Sequence, residues 1–244
     1  NFTPEMATTT TIAGAIRNDG RLFTWGIDDN STLGFGKPIP AVSSPVAVTT
    51  LTDSWTNIMA GGSHTVAIRS DRLLFTWGGN GAGQLGQNNR TNRSIATPVG
   101  SSSWTNVFAG QTHTVAIRID GALFTWGGNS SGELGQNQGL ARSSPVQVGT
   151  SSWTQISAAQ DHSAAIRLDG ALFTWGSNES GRLGQGTAIY RSSPVQVGTS
   201  SWTFVKGGDN FAFGILNLFN VFVSPLKIPL AIVFNSVPAI PRMF

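Results

Sequence analysis

The pentapeptide "LFTWG" occurs at residues 22–26 and again at 74–78, 123–127 and 172–176, while the next period, 221–225, reads "VFVSP". Trp77, Trp126 and Trp175 stand 49 residues apart, and so do Trp55, Trp104, Trp153 and Trp202. With Trp25 these make up all eight tryptophans. The three histidines, His64, His113 and His162, keep the same step. A unit of this length cannot bury its apolar face alone, so stacking on neighbouring copies is the main constraint on the fold.

Within one unit the pattern is that of strands. "HTVAIRIDGALFTWG" (113–127) holds two alternating apolar runs around Asp120-Gly121, which predicts a hairpin with a type I′ turn. Asp19-Gly20 and Asp169-Gly170 repeat that signal, and Asp71-Arg72 is poorer turn chemistry. "SWTNVFAG" (103–110) supplies a third strand. "SSPVQVGT" (143–150) supplies a short fourth, with Pro near its start where a missing donor is tolerated. A turn-rich connector, "GGNSSGELGQN", lies between them. Charged residues are only 11% of the 244 and glycines number 30, which suits short strands and polar turns better than helices.

The unit "W-T-x-[IV]-x-A-G-x-x-H-T-V-A-I-R-x-D-G-A-L-F-T-W-G-x-N-x-x-G-x-L-G" resembles the repeat of the regulator of chromosome condensation family, over roughly residues 2–205. Periodicity alone gives a β repeat; the resemblance implies a propeller, which in that family has seven blades of about fifty residues. The expected fold is therefore all-β: a propeller-like array of about four to five four-stranded blades, a partial or small propeller, with an irregular apolar C-terminal tail. The array covers 1–205, in units of about 1–52, 53–101, 102–150 and 151–199 with a fifth starting at 200; 206–244 is a degenerate fifth unit and tail. "RSSPVQVGTSSWT" stands unchanged at 142–154 and 191–203. Repeats this uniform resemble those of phage and bacterial surface proteins.

The recurring residues read as structural. Each LFTWG tryptophan is expected to pack between blades, since an indole buries a large area, rather than to form a ring of ligand-binding aromatics. Each histidine is expected to hydrogen-bond to a backbone group of its own blade, because equivalent positions in a ring lie too far apart to share a metal. Arg17, Arg69, Arg118 and Arg167 each stand two residues before an Asp, which suggests pairing across the hairpin rather than a ring addressing an anionic partner. "GAGQLG" (81–86) matches the dinucleotide fingerprint but lacks the strand–turn–helix context. No catalytic constellation breaks the repeat, so catalytic, cofactor and metal residues are all expected to be none. The N-x-[ST] triplets at Asn30, Asn129 and Asn178 are at chance level in so Asn- and Ser-rich a chain.

Both ends depart from the pattern. "FTPEMA" is a worn "WTNIMA", with Phe2 for Trp and Ile12 at the His position. The fifth unit loses the His (Phe211), the Arg (Leu216) and the turn (Leu218-Phe219), and the chain starts at Asn1, as a processed or partial chain would. The tail is apolar with only Lys227 and Arg242 charged, and Pro225, Pro229, Pro238 and Pro241 break it. It either folds back as missing strands or adds to another chain. Phe219, Phe222, Leu226, Ile228, Leu230 and Phe234 are the candidate partner-binding residues, so protein partners, in homo- or hetero-assembly, are expected through 211–244.

Zero cysteines exclude disulfide and thiolate chemistry. A net charge of +3 without a basic run argues against nucleic acid, and the prolines leave no apolar run long enough to span a membrane. The expected function is a non-enzymatic structural or recognition module on a virion (phage capsid or tail) or an extracellular microbial surface. The alternative implied by the resemblance is a nucleotide exchange factor for a small GTPase or a chromatin binder. That activity needs a loop wedge in one blade, and no insertion longer than three residues separates these units.

Overall fold

The computed structural model describes residues 2–8, 12–37, 39–48, 54–208, 211–216 and 231–234. Its strands form five successive antiparallel sheets, each a blade. The first contains β1 (Phe2–Thr8), β2 (Ile12–Arg17), β3 (Leu22–Ile27) and β4 (Ala41–Ala47), in that order. The second contains β5 (Trp55–Ala60), β6 (His64–Arg69), β7 (Leu73–Gly78) and the first part of β8 (Arg93–Ala109). The rest of β8 opens the third blade, followed by β9 (His113–Arg118), β10 (Ala122–Gly127) and the start of β11 (Arg142–Ala158). The fourth blade takes the rest of β11, β12 (His162–Arg167), β13 (Ala171–Gly176) and the start of β14 (Arg191–Gly208). The fifth has the end of β14, β15 (Phe211–Leu216) and β16 (Ala231–Phe234).

The fourth strand of one unit and the first of the next, which the sequence suggests as separate, are thus one strand of 17 or 18 residues in β8, β11 and β14. Each long strand pairs with one blade through its first half and with the following blade through its second. Its rim half carries Pro98, Pro145 or Pro194, and β4 carries Pro45. Proline on an edge strand blunts strand addition, so the rim of the array is protected.

The hydrophobic core lies between blades rather than within them. Ile16, Leu22 and Val48 of the first blade meet Trp55, Ile58, Ala67, Phe75 and Trp77 of the second. The same arrangement recurs one period on, with Ile68, Leu74 and Val99 against Trp104, Val107, Ala116 and Trp126. It recurs again with Ile117, Leu123 and Val148 against Trp153, Ile156, Ala165 and Trp175. At the last junction, among the described residues, Ile166, Leu172 and Val197 meet Trp202, Val205 and Leu216. Trp25, with no preceding blade among the described residues, is only partly buried, whereas Trp77, Trp126 and Trp175 are fully buried.

The Asp-Gly hairpins are not type I′ turns. Gly121 donates to the Arg118 carbonyl at 2.9 Å and has φ +83°, but Asp120 is not at positive φ. Ile119-Asp120-Gly121 is a three-residue loop, a turn ended by one left-handed residue. The cause is the Asp120 carboxylate, which accepts the Ala122 N–H at 3.2 Å and so holds Asp120 inside the turn. In the second blade Arg72 must take the glycine's place at φ +70°.

Candidate interaction face

Each blade has two ends. At one end the loop between its first two strands meets the long connector: Gly79 donates to Ser63, Gly128 to Thr112 and Ser177 to Asp161 through backbone bonds of 2.7–2.8 Å. At the other end lie the R-x-D hairpins, whose last carbonyls (Gly20, Arg72, Gly121, Gly170) accept the backbone N–H of Trp55, Trp104, Trp153 and Trp202 of the next blade.

The connector end locks the blades. The Trp126 indole N–H donates to the Gln84 carbonyl of the preceding blade at 2.9 Å, and the Thr114 hydroxyl donates to the same oxygen, also at 2.9 Å. Trp77 and Thr65 share Thr32 O, and Trp175 and Ser163 share Glu133 O. Gly34, Gly86 and Gly135 lie beneath these indoles; a Cβ on Gly86 would stand 2.8 Å from Trp126 Nε1. Trp77, Trp126 and Trp175 thus lie between blades, each bonded to the connector before it.

The histidines bond differently from expectation. His64 Nε2 lies 3.0 Å from the Thr114 hydroxyl, and His113 Nε2 lies 3.0 Å from that of Ser163. The partner is a side chain of the following blade, not a backbone group of the same one. The reason is that the histidine's own strand end faces the next blade, where a hydroxyl one residue past the next histidine is in reach. Since each hydroxyl donates to a connector carbonyl, it accepts from the imidazole, which fixes the Nε2–H tautomer. Among the described residues no cluster of three His, Cys, Asp or Glu could hold a metal ion.

Asn80, Asn129 and Asn178 organise the connectors. The Asn129 amide donates to the carbonyls of Gln138 and Leu140, and its Oδ1 accepts the Leu134 N–H at 3.0 Å. Asn80 and Asn178 make the same three contacts. All three asparagines are buried, so the triplets at Asn129 and Asn178 offer no accessible acceptor, while Asn30 is exposed. Beside them Glu133 is buried and its carboxyl pushed up by desolvation, although Ser131 N donates to it at 2.7 Å. Desolvation also raises Asp161, against the pull of Arg182. "GAGQLG" is part of this connector and not a phosphate loop: a strand, β8, follows it.

The hairpin end carries the ion pairs. Arg69, Arg118 and Arg167 each pair with the Asp two residues on at 2.6 Å, as Arg17 does with Asp19. Hydrogen bonds from these guanidiniums hold Asp19, Asp120 and Asp169 down at about 2. Each guanidinium also lies over a phenylalanine of the neighbouring strand, 4.7–5.1 Å from the centroids of Phe23, Phe75, Phe124 and Phe173. Local pairing across the hairpin is thus what the geometry gives, with the stacking as an addition that sequence spacing did not reveal.

Between Arg and Asp stands one variable residue: Asn18, Ser70, Ile119 or Leu168. Ile119 is 55% and Leu168 71% exposed, at the tips of adjacent blades. Next to Leu168 opens a cavity of about 450 Å³ lined by Thr154, Gln155, Arg167, Asp169, Ser201 and Trp202. These apolar tips were not singled out from the sequence, although the substitution within an otherwise constant R-x-D-G was visible there. Of the tail residues proposed to bind a partner, Phe219, Phe222, Leu226, Ile228 and Leu230 lie outside the described residues. Phe234 ends β16, whose backbone pairs with β15 as the third strand of the fifth blade. Among the described residues no helix is long and apolar enough to cross a membrane.

Comparison with known proteins agrees with this architecture. The family profile described as "Regulator of chromosome condensation (RCC1) repeat" matches residues 19–68, 73–117, 120–166 and 169–215. Among curated proteins, the chain is 39% identical over 80 residues to the human probable E3 ubiquitin-protein ligase HERC3, covering 32% of this chain and 8% of that protein. It is 31% identical over 86 residues to the mitochondrial RCC1 domain-containing protein RUG3 of Arabidopsis thaliana, covering 35% of this chain and 19% of that one. Among solved structures, human WBSCR16 superposes with a TM-score of 0.77 at 18% identity, over 88% of this chain and 59% of that one. Prp20p of Saccharomyces cerevisiae, described with its binding to Gsp1p and histones, gives 0.76 at 19% identity, over 87% and 55%. The chain thus spans under a fifth of those curated relatives and a little over half of those solved chains. With its units matched in series and its blades superposing on such propellers, the chain belongs to the RCC1 repeat family.

Proposed function

We propose that the chain is a non-enzymatic protein-interaction scaffold whose hairpin face meets its partners, displayed on a virion or a microbial cell surface. One observation carries the docking face. The connector end carries the blade-to-blade locks, with Leu140 and Ile189 exposed on its loops, while the hairpin end is free of such locks and places Ile119 and Leu168 in solvent, Leu168 on the wall of an open cavity. Exposed aliphatics on adjacent tips fit a protein surface better than a small charged ligand, because the arginines beneath them are already paired. The display site rests on composition: low charge, no cysteine and near-identical units. Light scattering and co-purification test both parts. High-order assembly or recovery with virions supports the reading; a monomer that binds neither particles nor surface proteins overturns it.

The likeness to Prp20p favours a second reading, in which the array acts on a small GTPase or on chromatin. Faster nucleotide release from a GTPase on adding the chain supports that reading instead, and no change in release rate removes it.

A further inference from the structure

The buried imidazoles have no part in the docking face, and they sit where the array is held together. His64 and His113 are fully buried at successive blade junctions, each with Nε2 on the hydroxyl of the following blade. Among the described residues the other ring nitrogen, Nδ1, has no hydrogen-bond partner in either histidine. It lies against a glycine: a Cβ on Gly61 would come within 2.7 Å of His64 Nδ1, and Gly110 abuts His113 in the same way. The N–H of Gly61 is taken by the His64 carbonyl and that of Gly110 by the His113 carbonyl, so neither glycine N–H is free to donate to the ring. His162 occupies the equivalent buried position one blade further.

We propose that these histidines make the blade junctions acid-labile, so that the array opens cooperatively in mildly acidic solution while its surface ion pairs are still intact. A proton added at Nδ1 creates a cation in a fully buried junction, against Gly61 or Gly110, at a nitrogen that makes no hydrogen bond there. The charged groups around it make matters worse. Among the described residues burial holds His113 neutral, with the imidazoles of His64 and His162 adding to it, and burial does the same for His64. Of the connector-end carboxyls, Glu133 feels Asp161, and Asp161 feels Arg182 and Glu179; neither carboxyl acts on His64 or His113. Thr114 and Ser163 cannot compensate, since their hydroxyl protons are committed to connector carbonyls.

The sign follows from burial. The folded state holds His64 and His113 down to about 3, from an ordinary 6.5, so the unfolded chain takes up protons first. The stability due to neutral imidazoles is complete above about pH 6.5 and is lost as pH falls toward 3. Each such histidine lowers the folding constant about tenfold per pH unit inside that window. The surface Asp–Arg pairs act lower, because Asp19, Asp120 and Asp169 are held at about 2 and keep their charge through the window.

The test follows tryptophan emission of the whole chain from pH 8 to pH 2, with urea midpoints at pH 7, 6, 5 and 4. The expected result is a red shift centred between pH 6 and 4, and a urea midpoint that falls steadily across the same range. His64→Gln and His113→Gln, made singly, are expected to keep the emission of the folded chain at pH 7 and to flatten the pH dependence, each by about one proton taken up on unfolding. If a glutamine variant does not fold, His64→Asn and His113→Asn serve the same comparison, and the proton uptake of the unaltered chain is measured directly by potentiometry. A urea midpoint constant from pH 7 to pH 4, uptake below one proton in that interval, or a pH profile the histidine variants leave unchanged would overturn the proposal.

Discussion

The indole N–H of Trp126 and the carbonyl of Gln84, 42 residues earlier and one blade back, form a 2.9 Å hydrogen bond inside a fully buried junction. The bond explains why the LFTWG tryptophan recurs: it fills the inter-blade core and, with the Thr114 hydroxyl, ties the preceding connector carbonyl to the next blade. Trp126→Phe removes the donor and leaves a void, and is expected to cost about 2–4 kcal/mol. Trp25→Phe is expected to cost clearly less, because Trp25 is only partly buried. Urea unfolding of the two variants side by side checks this, and equal losses would contradict the locking role.

Gly86 belongs to the same junction. Its φ is +69°, and a Cβ there would press on the Trp126 indole at 2.8 Å. Gly86→Ala combines left-handed strain with a collision and is expected to destabilise by about 2–4 kcal/mol. Arg72 is the opposite case, a side chain already forced to φ +70° where the other blades have glycine. Arg72→Gly is expected to stabilise by about 0.5–1 kcal/mol, since relief of left-handed strain outweighs the entropy that glycine adds to the unfolded chain. Thermal unfolding of Arg72→Gly reads the sign directly.

The period, the strand content and the inter-blade place of the tryptophans were legible because the same residues recur at one step. Two kinds of fact were not. The turn type was misread because Asp-Gly suits both a two-residue I′ loop and a three-residue loop, and the Asp120 carboxylate bonding forward to Ala122 decides between them. The histidine's partner was misread because it lies in the next unit. Taken across units, the couples run Ile12 with Thr65, His64 with Thr114, His113 with Ser163 and His162 with Ala212, so histidine and hydroxyl coincide only at the two central junctions and no covariation marks the bond. The exposed aliphatic tips were hidden for a related reason: in a repeat, constancy draws the eye, and the tips lie where one residue varies.

Asn129 is the keystone of its connector, with three bonds to Gln138, Leu140 and Leu134 from one buried amide. Asn129→Ala strands two carbonyls and one N–H, and is expected to cost about 2–4 kcal/mol. The same burial predicts that Asn129 and Asn178 carry no glycan in the folded chain even when it is made in a glycosylating host. Intact-mass measurement of secreted material checks the second point.

The Arg118–Asp120 pair is solvent-exposed on the aspartate side, and most of its role is to shape the turn. Its folded carboxyl stands at about 2 against an ordinary 3.8, so whatever it contributes is present above pH 3.8 and lost only as pH falls through 2. Asp120→Asn is expected to leave the pH 7 thermal midpoint nearly unchanged, since an asparagine oxygen can still accept from Ala122. A large drop at pH 7 would mean that the hairpin ion pairs bear stability after all.

Ile119 and Leu168 test the interaction face itself. Both side chains are exposed at hairpin tips, and they occupy the position where the first two blades carry Asn18 and Ser70. Replacing them with Ser therefore imitates a blade that already folds, and Ile119→Ser/Leu168→Ser is expected to keep the thermal midpoint within about 0.5 kcal/mol of the unaltered chain. If partners bind at this end, removing two adjacent aliphatic anchors is expected to weaken binding by about 2–4 kcal/mol, roughly 30- to 1,000-fold in Kd. The control is Leu140→Ser/Ile189→Ser, two equally exposed aliphatics on the connectors at the opposite end, each 60% exposed. Loss of particle or surface-protein binding in the first double variant but not the second places the contact on the hairpin face. Loss in the second alone would move it to the connectors. Unchanged binding in both would leave the aliphatic tips without a docking role.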